Sequence, residues 1–320
     1  MKTSKTNKYI SLVVVIIVVA LTSIVTYVIA KPNKEEDPGI VYRQKYPLIN
    51  PSRRLESSEN LVTNIQPIRE YLKSLPEQHK DWAEMSIYFE VLKTGSNVTV
   101  NPDLKIWPAS LAKLPVAMAT MKKVESEDWD LDTMIKLEEE DADTVGNPGI
   151  EKEIGRSYDV KFLLERLLLQ SDNTAYRMLT KNFTKNEINE ISEEVGLEEL
   201  LVQGGKISAK DYTRLLRVLY TASYINEEHS QFLLELMQES EFKNFIRAGL
   251  PPETPFSHKW GTNIAFQVYS DSGIVYVENR PYMISVMIQG KSDDQEENEL
   301  KSNALMKEIG QKTYEYINSY

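Results

Sequence analysis

The fold of this chain is decided by three short stretches that follow one another in a fixed order: Ser110-Leu111-Ala112-Lys113, Ser171-Asp172-Asn173 and Lys259-Trp260-Gly261-Thr262. In the first, a serine and a lysine are three residues apart, so that on a helix both side chains face the same way. A second serine and a second lysine come from distant parts of the chain. Together these residue types supply a nucleophile, a base and a proton relay, which is acyl-transfer chemistry without histidine.

The composition excludes several other classes of function. With 320 residues and 41% apolar content, the chain can form one large domain or two closely packed lobes. It has no cysteine, which rules out disulfides, a thiol nucleophile and a cysteine metal site. Three scattered histidines and the lack of an HExxH motif argue against a zinc hydrolase, and no metal or organic cofactor is implied. A formal net charge of −11 argues against nucleic acid as a partner.

The amino-terminal segment predicts a membrane anchor. Three lysines lie within residues 1–9, and residues 10–30 that follow carry no charge. At about 1.5 Å per residue, such a helix covers roughly 30 Å, the thickness of the hydrocarbon core. The lysines favour an amino terminus inside the cell, so we expect a single-pass protein of the cell membrane with its body outside the cytoplasm. Val28-Ile29-Ala30 leaves cleavage of the segment open as an alternative.

Residues 31–58, with four prolines and no periodicity, predict a linker. Beyond it we predict one domain over 59–320, in which a sheet lobe (59–113 and 245–320) holds an inserted helical lobe (114–244). Its elements are a helix over 59–75, a hairpin of 85–91 with 97–100, strands over 265–269, 273–278 and 282–289, a strand opened by the third motif, and a final amphipathic helix. This order indicates an α+β fold with an antiparallel sheet and helices packed on it.

Each motif alone has an ordinary structural explanation. Ser110 could cap a helix, Lys113 could extend to solvent, and Ser171-Asp172-Asn173 could end one helix and cap the next. In the functional interpretation, the free N–H groups at a helix start stabilise an oxyanion formed at Ser110. Burial lowers the pKa of Lys113, which allows it to act as a base. The order, separation and setting of the three motifs favour the functional interpretation.

The chain resembles the penicillin-recognising serine hydrolases, and most closely the class A beta-lactamase catalytic domain, over roughly Glu59 to Tyr320. The resemblance is carried by the stretches 107–115, 167–175, 247–251, 258–262 and 272–275. It implies a beta-lactamase/transpeptidase-like fold, in which a five-stranded antiparallel sheet is flanked by helices and carries an inserted all-helical lobe.

The resemblance also implies roles for the catalytic residues. Ser110 would be the acylated nucleophile and Lys113 its proton acceptor. Ser171 would pass a proton to the leaving nitrogen, with Lys259 holding and polarising it.

Substrate binding is implied for four further residues, although one departs from the family pattern. Asn173 would hydrogen-bond the substrate amide, Gly261 and Thr262 would line the substrate site, and the N–H groups of Ser110 and Thr262 would form the oxyanion hole. Trp260 replaces a threonine or serine whose hydroxyl helps to bind the substrate carboxylate, and an indole cannot do this. Thr262 could substitute, because it lies two residues further along the strand.

A second departure concerns the loop over 195–212. Class A beta-lactamases carry a Glu-x-x-Leu-Asn glutamate there, which activates the deacylating water, and this chain lacks the motif. Glu198 and Glu199 are the local candidates, and each is more typical of a solvated position. We therefore expect an acyl-enzyme that forms but clears slowly.

Three functional hypotheses follow. The first is a membrane-anchored serine hydrolase of the class A beta-lactamase type that is acylated by a beta-lactam or a D-alanyl-D-alanine-like peptide derived from peptidoglycan. The second is a penicillin-sensitive D,D-carboxypeptidase or esterase. The third is a pseudoenzyme that binds the cell wall without catalysis; the intact serines and lysines argue against it, and Trp260 and the shortened loop argue for it.

Overall fold

A computed structural model describes residues 44–51, 64–144, 149–197 and 205–319 of the chain. The predicted tail, the predicted span over 10–30 and most of the predicted linker lie outside these residues. Among the described residues, no helix combines the length and the apolar character needed to cross a bilayer. Residues 48–320 form one compact unit, and the predicted division of the chain into segments and lobes stays a prediction.

The described part of this unit contains eight α-helices and seven strands. The helices are α1 Gln66–Gln78, α2 Lys113–Glu125, α3 Val160–Leu169, α4 Asn173–Thr180, α5 Lys185–Glu194, α6 Ala209–Tyr220, α7 Glu227–Gln238 and α8 Gln295–Asn318. The strands are β1 Ala83–Val91, β2 Asn97–Val100, β3 Met134–Lys136, β4 Ser157–Asp159, β5 Phe256–Asn263, β6 Val268–Val275 and β7 Tyr282–Gly290. Short 3-10 turns lie at Ala109–Ala112, Glu139–Asp141 and Phe245–Gly249.

The main sheet joins the two ends of the domain. Its five strands are ordered β2-β1-β7-β6-β5, and every neighbouring pair is antiparallel. Strand β1 from the start of the domain therefore pairs with β7 from its end, and the helix-rich stretch between them is inserted into the sheet connection. The α+β fold class with a five-stranded antiparallel sheet is confirmed.

The two faces of the sheet differ in side-chain size. One face is a continuous apolar core shared with α1 and α8, built from alternate residues of β1 and β7 such as Ile87, Phe89 and Ile284. The other face carries serines, and the Ser272 and Ser285 hydroxyls lie 2.6 Å apart in a hydrogen bond. These small side chains let helix α6 lie directly against β1, β6 and β7.

Two predicted element bounds are wrong. The strands expected over 265–269 and 273–278 are parts of one strand, β6, which pairs with β5 and β7 along its whole length. A single strand was not predicted because the middle of β6 is Ser270-Asp271-Ser272, which are polar residues although they are fully buried. The first helix was expected to begin at Glu59; α1 begins at Gln66, and residues 59–63 lie outside the described part.

A buried ion pair fastens α6 to the sheet. Glu90 of β1 is almost fully buried and accepts hydrogen bonds from both terminal nitrogens of the Arg217 guanidinium, with Nη1 at 3.0 Å from Oε1. The Tyr88 hydroxyl donates to the same carboxylate at 2.5 Å. A carboxylate in this position needs its partners, because an unpaired buried charge is strongly destabilising.

Replacing Arg217 with alanine is expected to lower the free energy of unfolding by about 3 kcal/mol, since Glu90 then loses its countercharge. Urea denaturation measures this loss. Lys301→Ala is the control: it breaks an exposed pair with Glu297, for which we expect no more than about 0.5 kcal/mol. Equal losses in the two variants would contradict a special role for the buried pair.

Candidate active site

Ser110 lies in the 3-10 turn that leads into α2. Ala109 before it has a φ of 48°, in the left-handed region, where an L-residue costs roughly 1–2 kcal/mol. Ser110 is half-buried, whereas the Lys113 side chain points inward and is only 4% exposed. The Lys113 ammonium donates to Ser110 Oγ at 2.9 Å and to Asn173 Oδ1 at 2.6 Å. The first motif therefore meets the second at Lys113.

Burial makes Lys113 a usable base. It lowers the pKa of the Lys113 ammonium to about 8, and the negative charges of Asp172 and Asp143 only partly oppose this effect. In its neutral form the amine can accept the proton that the Ser110 hydroxyl must lose. The geometry thus places the Ser110 hydroxyl in direct contact with an amine of lowered pKa, the arrangement that activation of a serine requires.

Ser171 is held in an unusual backbone conformation between α3 and α4, with a φ of 59°. The next residue, Asp172, fixes it there: its Oδ1 accepts from the Thr174 N–H at 2.8 Å and so caps α4. Its Oδ2 accepts from the Arg166 guanidinium at 2.8 and 3.0 Å. The sequence analysis did not identify Arg166 as a partner of the second motif. In the sequence it is a basic residue near the end of an apolar helix, which is a weak indication of such a role.

Lys259 is the most deeply buried charged group in the site. Its ammonium is 0% exposed and donates to Ser171 Oγ at 2.9 Å and to the Trp260 carbonyl oxygen at 3.0 Å. Burial, followed by repulsion from the Lys113 ammonium, holds its pKa well below the ordinary lysine value, and the Asp271 carboxylate acts in the opposite direction. Two serine–lysine pairs, Ser110–Lys113 and Ser171–Lys259, therefore belong to one site, linked by the hydrogen bond from Lys113 to Asn173.

Gly261 allows β5 to pass close to the turn that carries Ser110. A Cβ atom at this position would lie 2.9 Å from both the Pro108 oxygen and the Ser110 nitrogen, and 3.0 Å from the Leu111 nitrogen. These are backbone atoms that cannot move aside independently. The backbone of β5 therefore passes directly against the 3-10 turn. Thr262, the next residue of β5, is half-buried.

Trp260 is a packed side chain and not a free ring. Its indole stacks on Phe242 with centroids 4.1 Å apart and borders the Lys259 ammonium, which lies 5.0 Å from the ring centroid. Within the described residues, its buried Nε1 has no hydrogen-bond partner. The structure thus gathers Ser110, Lys113, Ser171, Asn173, Lys259 and Gly261 in one site, with Trp260 beside it. Glu198 and Glu199 lie outside the described residues.

The beta-lactamase enzyme family has a sequence model that matches residues 67–317, most of the chain. The chain belongs to this family. Its structure is similar to that of PBP-A, with 21% identity, a TM-score of 0.69 and coverage of 81% of this chain and 97% of PBP-A.

Two further solved structures give the same result. A PBP-A mutant in acyl-enzyme complex with penicillin G has 20% identity and a TM-score of 0.71, with coverage of 80% of this chain and 98% of that chain. The TLA-3 extended-spectrum beta-lactamase has 18% identity and a TM-score of 0.69, with coverage of 78% and 99%. At these identities the likeness is one of fold, and the beta-lactamase/transpeptidase-like fold is confirmed.

Ser110 is expected to react faster as the pH rises through about 8. The pKa of Lys113 is lowered, so below about 8 the amine is protonated and the rate should fall about tenfold per pH unit. The rate of labelling by a fluorophosphonate between pH 6 and 9 measures this. Lys113→Arg keeps a cation that cannot lose its proton, and should react slowly throughout. A pH-independent rate in the unaltered chain would contradict this role.

Gly261→Ala is expected to abolish most of this labelling and to lower the free energy of unfolding by about 1–3 kcal/mol, because the added methyl group pushes β5 away from the turn. Labelling rate and urea denaturation are measured on the same sample. Gly290→Ala is the matched control: its Cβ would crowd the buried Asn298 side chain at 2.7 Å, which introduces a similar clash on β7 instead of β5. If Gly261→Ala labels like the control, the close approach of β5 is unimportant for the nucleophile.

Proposed function

We propose that this chain is a membrane-anchored, extracytoplasmic serine hydrolase of the class A beta-lactamase type, and that beta-lactams or D-alanyl-D-alanine-like peptides acylate Ser110. The observation that carries the proposal is the direct hydrogen bond between Lys113 and Ser110, with a second such bond between Lys259 and Ser171 in the same site. A capping serine with a solvated lysine would not need two buried ammonium groups.

In the proposed reaction, neutral Lys113 accepts the hydroxyl proton of Ser110 as Oγ attacks the carbonyl carbon of the substrate. The carbonyl oxygen becomes an oxyanion, which the N–H groups of Ser110 and Thr262 would stabilise by roughly 3 kcal/mol for each donor. The carbonyl C–N bond then breaks. Ser171 gives its proton to the leaving nitrogen and is replenished through Lys259, which leaves the acyl group on Ser110.

We further propose that deacylation is slow. It requires a base that activates water, and the loop over 195–212 carries no Glu-x-x-Leu-Asn motif. Lys113 and Lys259 both have a lowered pKa, and Lys113 is the one that hydrogen-bonds Ser110 directly and could serve instead. An enzyme of this kind would bind penicillins covalently and release them slowly.

A penicillin-sensitive D,D-carboxypeptidase is the second candidate. It is favoured by the similarity in fold to PBP-A, a mutant of which has been solved as an acyl-enzyme with penicillin G. Both candidates share the acylation of Ser110 and differ in the natural substrate, which for the carboxypeptidase is a D-alanyl-D-alanine peptide.

The location is proposed from the sequence. Residues 10–30 are uncharged and are preceded by lysines, which is typical of an anchor with its amino terminus inside. Residues 31–58 would then tether the domain outside the membrane, where peptidoglycan-derived peptides occur.

Benzylpenicillin is expected to form a covalent adduct with the full-length chain in detergent, seen as an increase in intact mass that persists for minutes to hours. Ser110→Ala removes the nucleophile and should give no adduct, whereas Ser126→Ala, at the exposed end of α2, should behave as the unaltered chain.

The time course tests the second step. A transient adduct with hydrolysed drug accumulating would establish an efficient beta-lactamase, contradict slow deacylation and show that another group replaces the glutamate. A persistent adduct is the result expected from slow deacylation, and release of D-alanine from a D-alanyl-D-alanine peptide by the same sample would then identify the carboxypeptidase type. No adduct at any time would contradict both enzymatic proposals and favour the cell-wall-binding pseudoenzyme.

A further inference from the structure

An aromatic stack lies on the Ser171 side of the active site. The indole of Trp260, on β5, and the ring of Phe242, in the segment that follows α7, are nearly parallel at 16°, with centroids 4.1 Å apart. The Lys259 ammonium donates to Ser171 Oγ at 2.9 Å and lies 5.0 Å from the centroid of the indole. The stack is therefore adjacent to the second serine–lysine pair.

A second set of contacts places the same stack beside Ser171. The Glu241 N–H donates to the Leu169 carbonyl oxygen at 3.0 Å, and the Gln170 side-chain amide donates to the Glu241 carboxylate at 2.7 Å. The segment that carries Phe242 is thus fastened to the residues directly before Ser171. In the proposed reaction Ser171 gives its proton to the leaving atom, so the stack lies on the leaving-group side of the site.

The surface that the stack offers to a substrate is apolar. Trp260 and Phe242 both keep part of their surface exposed. The indole Nε1 is the polar side-chain atom of the two rings, and it is buried without a hydrogen-bond partner among the described residues. It therefore does not present a donor to solvent. An apolar or uncharged group that covers these rings removes apolar surface from water, which is favourable.

The cations of the flanking segments are engaged with protein groups. The Lys259 ammonium is 0% exposed and donates to the Ser171 hydroxyl and to a backbone carbonyl oxygen. Arg166 is paired with Asp172. The guanidinium of Arg247 donates to three backbone carbonyl oxygens in the segment after it. A carboxylate on the substrate would have to compete with these existing partners.

The segment around Phe242 adds no net charge either. Glu241 and Lys243 lie on its two sides, and their charges are opposite. The Lys243 ammonium donates to the Ser240 carbonyl oxygen. A carboxylate on the leaving group would therefore lose water at the rings without gaining a countercharge, which is unfavourable. A leaving group without a charge has no such cost.

We propose that Phe242 and Trp260 are specificity-determining residues whose stack receives a leaving group that carries no carboxylate, such as that of an ester or of an amide within a peptide chain. The proposal rests on the proposed acylation of Ser110. The bond from Ser110 Oγ to the carbonyl carbon forms, the bond to the leaving oxygen or nitrogen breaks, and that atom takes the proton of Ser171. Benzylpenicillin, whose carboxylate is on its leaving side, is then a usable donor and not a preferred one.

Benzylpenicillin and its methyl ester test the proposal, because they differ only at the carboxylate. Adduct formation on the full-length chain in detergent is followed by intact mass. Each rate is divided by the rate of alkaline hydrolysis of the same compound, which removes the difference in intrinsic reactivity. The ester is expected to acylate Ser110 about tenfold faster than the acid, because the charged group must be desolvated at the stack.

Trp260→Thr replaces the indole with a small side chain that carries a hydroxyl group, and is expected to lose the preference for the ester. Trp129→Thr is the matched control, because it removes an indole that packs on Phe183 beyond the carboxyl end of α2, and should keep the preference. The detergent is the same for every variant, so uptake of the ester by micelles cancels in the comparison. If Trp260→Thr fails to fold, Phe242→Thr removes the other ring and should also lose the preference.

An equal preference for the ester in the unaltered chain and in a folded stack variant overturns the proposal. Faster reaction of the acid in the unaltered chain also overturns it, and loss of that advantage in Thr262→Val would assign the carboxylate to Thr262. Adducts with both compounds and no preference leave the proposed function intact and contradict only this inference. If neither compound forms an adduct, the proposed function fails and the inference falls with it.

Discussion

The rest of the structure depends on keeping two ammonium groups out of water. Lys113 and Lys259 are both buried where the helices meet the sheet. Each ammonium group donates one hydrogen bond to a serine hydroxyl. A buried ammonium is unfavourable unless its donors are satisfied and its proton can be released. The surrounding elements meet both conditions, because they supply oxygen acceptors at 2.6 to 3.0 Å and lower the pKa of both lysines.

This constraint explains several local features that would otherwise seem unrelated. The left-handed φ values at Ala109 and Ser171 place the two serines beside their lysines. Arg166 neutralises Asp172, so the aspartate can cap α4 and keep the second motif in place. Gly261 allows β5 to approach the Ser110 backbone closely. The two left-handed backbone conformations, the Arg166–Asp172 ion pair and the glycine in β5 all help to hold the serines and lysines of the site in place.

Much of the fold could be predicted because apolar periodicity survives where one face of an element is buried. The α3 stripe is an example: Leu163, Leu164, Leu167 and Leu168 are all fully buried. Prediction failed at β6, where Ser270, Asp271 and Ser272 are buried polar residues that interrupt the pattern. Their burial depends on partners from other parts of the chain, which no local window of sequence contains.

The sequence by itself determined the residue types of the site, their order, and the family to which the chain belongs, because motif spacing and residue chemistry are local properties. Only the tertiary structure decided that Trp260 packs on Phe242, that Arg166 supports the second motif, and that His258 pairs with Asp271 in the interior. These depend on contacts between residues far apart in the chain. Charge in a protein interior acts through space, so its effect on a lysine is set by burial and by neighbours that folding brings together.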